Sequence, residues 1–253
     1  MINFVSNGQG NPLILIHGFC ESKEMWITFS EELAKSHTVY CIDLPGFGES
    51  PLRKDSITLE EVADMLHDWM EENKIYHPTV IGHSLGGYVT LALAELMGNE
   101  LTAIGLFHST AFPDDVEKKK TRNKTITFIK KHGVDKFIDS FVPPLFSEQH
   151  RITHNSKIEE LTALGKKSSK KGVLAYLPAM RDRKDRMEVW KNFKGKKLMI
   201  AGVLDGAVKI EGSRMHKPHT DDYFELQEVG HMGMFEAEKE TLKILKDFLK
   251  KLG

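Results

Sequence analysis

The feature that most constrains this chain is a series of short apolar runs that do not alternate with polar residues. Residues 12–16 (PLILI), 38–42 (TVYCI), 79–81 (TVI) and 101–107 (LTAIGLF) are each apolar almost throughout. A strand with one wet face alternates; a strand covered by helices on both faces does not. Helical patterns fill the gaps. Thr58 and Glu61 offer a capping box, and Leu59, Val62, Leu66 and Trp69 then fall on one helical face. The segment after Ser84, through Val89, Leu91, Leu93 and Leu96, reads as a helix that stops at Gly98. Strand candidates return at 197–201 and 223–226, and the chain closes on an amphipathic helix carrying Leu245, Phe248, Leu249 and Leu252. Repeated strand–helix units predict an α/β fold with a doubly wound, mostly parallel sheet.

That rhythm is interrupted once. From about 112 to 193 there is no clear strand, only Lys-rich amphipathic stretches separated by Gly133, Pro143-Pro144, Gly165 and Gly172. Between Pro113 and Lys194 there are 20 Lys and Arg against 11 Asp and Glu, whereas the chain as a whole carries a net charge of −1. A length of 253 residues accommodates one large domain with an inserted piece. The expected organisation is therefore a core made of 1–111 and 194–253, with 112–193 as an insertion. Solvated helix faces account for its basic surplus; steering of an anionic substrate is the alternative.

Several classes are set aside on composition. Two cysteines, Cys20 and Cys41, are too few for a disulfide framework and fit a reducing compartment. The first ten residues lack the basic start and apolar run of a signal peptide, and no stretch is apolar enough to span a membrane. No nucleic-acid motif is present. The expectation is a soluble cytoplasmic protein that acts on a small molecule, with no membrane or nucleic-acid partner and no cofactor. His150 and His154 share the spacing of metal ligands on a helix, but with no carboxylate or cysteine set accompanying them they read as surface histidines, and no metal is expected.

The chemistry-bearing pattern is Gly82-His83-Ser84-Leu85-Gly86, a G-x-S-x-G sequence that directly follows an apolar strand and opens an apolar helix. A serine there sits on a tight turn where small neighbours avoid a clash, and its hydroxyl projects clear of the sheet. The helix N-terminus below it favours developing negative charge. A nucleophilic serine needs a base, and the base needs an orienting acid. His231, in Gly230-His231-Met232-Gly233, follows the last strand candidate on the edge where α/β sheets carry their ligand loops. Asp205 ends the strand region 198–203; Asp114 and Asp115, after the 101–107 run, are rivals for the same role. The oxyanion of acyl transfer needs two backbone donors. Leu85 N–H, just after the nucleophile, is one candidate; Phe19 N–H, freed by the turn at Gly18, is the other. Cys20 beside it reads as a small buried hydrophobe.

Taken together, His17-Gly18-Phe19, Asp43-Leu44-Pro45-Gly46-Phe47-Gly48-Glu49-Ser50, Gly82-His83-Ser84-Leu85-Gly86-Gly87, Gly202-Val203-Leu204-Asp205 and Gly230-His231 resemble the α/β-hydrolase superfamily over nearly the whole chain outside the insertion. The order Ser84, Asp205, His231 is the order that family uses. The resemblance implies that 112–193 is a helical cap over the site, and that Asp43 belongs to a structural turn. Serine in place of the aspartate nucleophile of some relatives argues against dehalogenase or epoxide-hydrolase chemistry. The implied activity is hydrolysis of a carboxylic ester or thioester through an acyl-enzyme on Ser84. Acyl transfer or carbon–carbon bond hydrolysis with the same residues stays open, as does a small-molecule receptor with an idle triad. The acyl group, the leaving group and the oligomeric state are not encoded in any local pattern.

Overall fold

The computed structural model describes residues 1–253. Its strands are β1 (Phe4–Asn7), β2 (Asn11–Ile16), β3 (His37–Ile42), β4 (Thr79–His83), β5 (Ala103–Phe107), β6 (Lys196–Gly202) and β7 (Asp222–Leu226). They form one seven-stranded sheet in the order β1-β3-β2-β4-β5-β6-β7. Every neighbouring pair is parallel except β1 with β3. The order doubles back at β2 and β4, so helices cover both faces. Every residue of β4 and β5 is buried as a result, which is why those runs do not alternate.

β1 escaped the sequence reading. It is four residues long, largely exposed and antiparallel on the sheet edge, and only Phe4 contributes much, packing edge-on against Trp69 at 5.1 Å. A strand that buries so little leaves almost no hydrophobic signature.

The helix Leu59–Glu72 begins as its capping box predicts. Glu61 N–H donates to Thr58 Oγ1 at 3.1 Å and Thr58 N–H donates to the Glu61 carboxylate at 2.9 Å. Leu59, Val62, Leu66 and Trp69 are all buried. The helix after β4, Leu85–Met97, is buried on nearly every side and stops at Gly98, whose φ is 53°. Leu96 departs from the expected apolar face, being 49% exposed. The closing helix Glu238–Lys250 buries Leu245, Phe248 and Leu249, while Leu252 lies just past its end.

Between β5 and β6 the chain makes the helices Val116–His132, Val134–Phe141, Glu148–Thr153, Asn155–Lys166, Lys170–Arg181 and Met187–Asn192, with no strand among them. Part of the basic surplus there is tied in ion pairs. Arg183 meets Asp114 at 2.5 Å, and Arg186 meets Glu60 at 2.8 Å and Glu95 at 2.9 Å. The long helix Val116–His132 buries only Ile129, and Lys119, Lys124 and Lys131 stand on its exposed surface. No helix is long and apolar enough to cross a membrane.

Two buried histidines are held neutral by their partners. His17 Nδ1 faces the Gly18 carbonyl at 2.7 Å while its Nε2 accepts from Leu44 N–H at 3.0 Å. His216 repeats the arrangement with the Gly212 carbonyl and Ala111 N–H. Burial disfavours the cation and lowers both pKa values. Because the folded pKa lies below the unfolded one, this stability is fully present above about pH 6.5 and declines as pH falls toward the folded value. Each group then contributes a slope of about 1.4 kcal/mol per pH unit. The midpoint of thermal unfolding is therefore expected to drop between pH 7 and pH 5. A midpoint that does not drop would show this loss to be absent or outweighed by His83, whose raised pKa acts with the opposite sign.

Candidate active site

β4 lies centrally, between β2 and β5, and Ser84 is the residue at which it turns into the following helix. Ser84 has φ 50° and ψ −113°, a backbone conformation that a side chain adopts only when its surroundings enforce it. Those surroundings are explicit. Ser84 N–H donates to Phe107 O at 3.0 Å, and Ser84 O accepts from Ser109 Oγ at 2.7 Å and Gly87 N–H at 3.0 Å. A Cβ on Gly82 would lie 2.1 Å from the Gly86 carbonyl carbon, and one on Gly86 would lie 2.4 Å from Ile16 O. Both glycines of the motif are thus steric requirements of the turn. The Ser84 hydroxyl, partly exposed, makes no hydrogen bond within the protein.

Asp205 follows β6 and His231 follows β7, so both reach the same sheet edge as Ser84. His231 Nδ1 donates to Asp205 Oδ2 at 2.8 Å. Asp205 Oδ1 accepts from Ala207 and Val208 N–H, each at 2.8 Å. Burial alone would raise this carboxyl, but the adjoining His231 and His108 and their hydrogen bonds outweigh it and hold it well below the usual carboxylate range. With the proton on Nδ1, His231 Nε2 is left as an acceptor that no protein group occupies. The rival acids are committed elsewhere. Asp114 is gripped by Arg183 and by Arg122 at 3.1 Å, and Asp115 caps the helix Val116–His132 by accepting from Lys118 N–H at 2.8 Å.

The two backbone N–H groups named as oxyanion donors differ from their neighbour Gly18 in having no protein acceptor. Gly18 N–H is spent on Glu21 at 2.5 Å, whereas Phe19 N–H and Leu85 N–H have no acceptor in the protein. Cys20 is buried at φ 62°; burial, and then the neighbouring Glu21, push its thiol pKa up, so it is a poor nucleophile. A small apolar cavity of about 10 Å³ lies between this loop and the helices of 112–193, walled by Phe19 and Met232 on one side and Phe141, Val142, Leu145 and Leu164 on the other.

Three residues at the site had no sequence motif. His108, at the end of β5, brings Nδ1 to 3.3 Å from Asp205 Oδ2. His108, Asp205 and His231 are a possible metal-ligand cluster by proximity, their ligating atoms within 4.8 Å of one another. Asp205 already accepts from two backbone N–H groups and His231, and His108 Nδ1 accepts from Gly202 N–H at 3.2 Å, so protein donors already engage these atoms and the set is a poor cation site. Glu236 accepts from the N–H groups of Ser147 at 2.9 Å, Gly230 at 3.0 Å and Met232 at 3.1 Å, and pairs with His150 at 3.0 Å. So a carboxylate does accompany His150, contrary to the sequence reading, but it serves to pin the His231 loop. The third is Glu21, taken up below. His231 N–H itself donates to Leu145 O at 2.7 Å, which joins this loop to the helical segment directly.

Comparison with known proteins bears on the family and the fold. A family model described as alpha/beta hydrolase fold matches residues 11–238. The dihydrolipoyllysine-residue acetyltransferase component of the acetoin cleaving system of Pseudomonas putida is 24% identical over 242 residues, 96% of this chain and 64% of that protein. The chain thus spans less than two thirds of that relative's length. Lipase 3 of Moraxella sp. (strain TA144) is 26% identical over 261 residues, covering 97% of this chain and 80% of the lipase. Among solved structures, a thermophilic esterase from Thermogutta terrifontis superposes with a TM-score of 0.93 at 25% identity, over 99% of this chain and 93% of the esterase. The match to the family model runs from β2 through β7 and the His231 loop, over the parallel sheet and the strained serine turn at its centre, and the chain belongs to the α/β-hydrolase fold family.

Proposed function

We propose that this chain hydrolyses carboxylic esters, thioesters included, through an acyl-enzyme on Ser84. The observation that carries the reading is the 2.8 Å hydrogen bond from His231 Nδ1 to a buried, anionic Asp205, at the sheet edge where Ser84 is held in a strained turn. His231 Nε2 takes the Ser84 proton as the oxygen attacks the ester carbonyl. Asp205 keeps the imidazole in the required tautomer and offsets its charge. Phe19 and Leu85 N–H groups receive the oxyanion. His231 then passes its proton to the leaving alkoxide or thiolate, and the same base activates the water that releases the acid.

In this reading residues 112–193 are a cap. Support comes from the Leu145 carbonyl that holds His231 N–H and from Phe141, Val142 and Leu164 lining the cavity beside the oxyanion loop. The lipase and esterase names of the relatives favour ester chemistry over the other reactions open to this triad. A fluorophosphonate is expected to label Ser84, and a panel of aryl esters varying in chain length and charge is expected to show turnover of neutral acyl groups. No labelling, and no turnover anywhere in the panel, would leave the triad idle and the fold a receptor.

A further inference from the structure

Directly beneath the proposed triad lies a buried pair that none of these steps uses. Glu21 Oε2 is 3.0 Å from His83 Nδ1, and His83 Nε2 is 3.0 Å from the carbonyl oxygen of His231. His83 is fully buried and Glu21 nearly so. The partners decide the protonation of His83. A carboxylate oxygen and a carbonyl oxygen can only accept, so both ring nitrogens must donate, and the ring is an imidazolium. His17 and His216 differ in this respect, since each sets one nitrogen against a backbone N–H and the other against a carbonyl.

The same Glu21 oxygen accepts Gly18 N–H at 2.5 Å. The loop bearing Phe19 rests on the pair so closely that a Cβ on Gly18 would lie 2.7 Å from both Glu21 Oε2 and His83 Nδ1. One ion pair therefore touches three separate pieces of the site: the oxyanion loop through Gly18, the nucleophile turn through His83 itself, and the base through the His231 backbone. We propose that Glu21 and His83 are positioning residues, a buried carboxylate–imidazolium clamp that holds Phe19 N–H and His231 in register with Ser84. The proposal rests on the reading of Ser84, His231 and Phe19 given above.

The surrounding charges are consistent with the clamp. Burial opposes both ions, and their mutual attraction overcomes it, so that Glu21 is held below the usual carboxylate range and His83 above the usual histidine range. The other titratable groups facing the pair are His17 and Cys20 on the Glu21 side, and His231, His108 and Asp205 on the His83 side. His83 and His231 have ring centroids 4.9 Å apart. An imidazolium that close would oppose protonation of His231 during the reaction; paired with Glu21, it adds no net charge. Removing the Glu21 charge leaves His83 with a single proton, enough to donate in one of its two bonds. With a glutamine at 21, an amide oxygen toward the ring keeps Gly18 N–H but leaves one ring proton for two acceptors, and an amide NH2 toward the ring keeps both ring bonds but sets a donor against Gly18 N–H; one of the three links is lost either way.

Glu21→Gln and His83→Gln, compared with wild type at equal concentrations of fluorophosphonate-titrated sites, test the clamp. kcat per titrated site is expected to fall by about tenfold or more in each, with KM nearly unchanged, because displaced donors and base weaken transition-state binding. A residue that only stabilised the fold would lower the number of active sites and leave kcat per site alone. Per-site kcat within about twofold of wild type in both variants overturns the proposal. A second measurement needs no variant to fold. Histidine 15N spectra of the wild-type protein are expected to show His83 protonated on both nitrogens at about pH 6.5, the ordinary histidine midpoint, and a neutral His83 there overturns the proposal as well. The spectra do not depend on Ser84 chemistry. Loss of the reading of Ser84 would appear as unlabelled Ser84, and loss of the clamp as a neutral His83 beneath a normally labelled one.

Discussion

Ser84→Ala is expected to abolish covalent labelling by a fluorophosphonate and to lower ester turnover by about five to six powers of ten. The reasoning is local. Ser84 holds the conformation with φ 50° because its own backbone is bonded to Phe107 and Gly87 and because Gly82 and Gly86 admit no side chain. None of this depends on the hydroxyl, which bonds to nothing in the protein. Alanine should therefore keep the turn, the circular dichroism and the unfolding midpoint, and lose only the atom that attacks. Labelling that persists in the alanine variant would place the nucleophile elsewhere.

Asp205→Asn is expected to lower kcat by about ten-thousandfold with little loss of folded protein. An asparagine oxygen can still accept from Ala207 and Val208 N–H, so the loop after β6 keeps its anchor. The amide nitrogen, however, then faces His231 Nδ1 with a donor. The imidazole must shift its proton to Nε2, where it can no longer accept from Ser84. Asp114→Asn provides the contrast. It strips a buried arginine, Arg183, of its closest counter-ion, and breaking such a pair costs about 3–5 kcal/mol, so it should destabilise the protein while leaving kcat near wild type. An inactive Asp114 variant beside a fully active Asp205 variant would reverse the assignment.

The sheet was legible from the sequence because burial on both faces writes itself into adjacent residues. The runs at 12–16, 38–42 and 79–81 needed no partner to be recognised, and the Thr58–Glu61 box announced its own helix. β1 was not legible, since this short antiparallel edge strand half-buries one side chain, Phe4, and the rest of it faces water. The serine turn is likewise a local matter: two glycines, a strand before and a helix after, all within a dozen residues. Phe19 and Leu85 were open to proposal as donors because a backbone N–H follows from its position in a turn. Asp205 and His231 could be named by their places after strands, but the sequence alone kept Asp114 and Asp115 as rivals.

Only the tertiary structure decided which aspartate meets His231, and it did so by spending Asp114 on Arg183 and Asp115 on a helix N-terminus. It alone brought Glu21 to His83, Glu236 to Gly230 and His150, and His108 to Asp205. Periodicity records which side of an element is buried, and that information lies in neighbouring residues. A hydrogen bond between Glu21 and His83, 62 residues apart, leaves no such trace. It exists because parallel strands bring their ends to one edge of the sheet, where loops from distant parts of the chain must satisfy one another's buried polar groups.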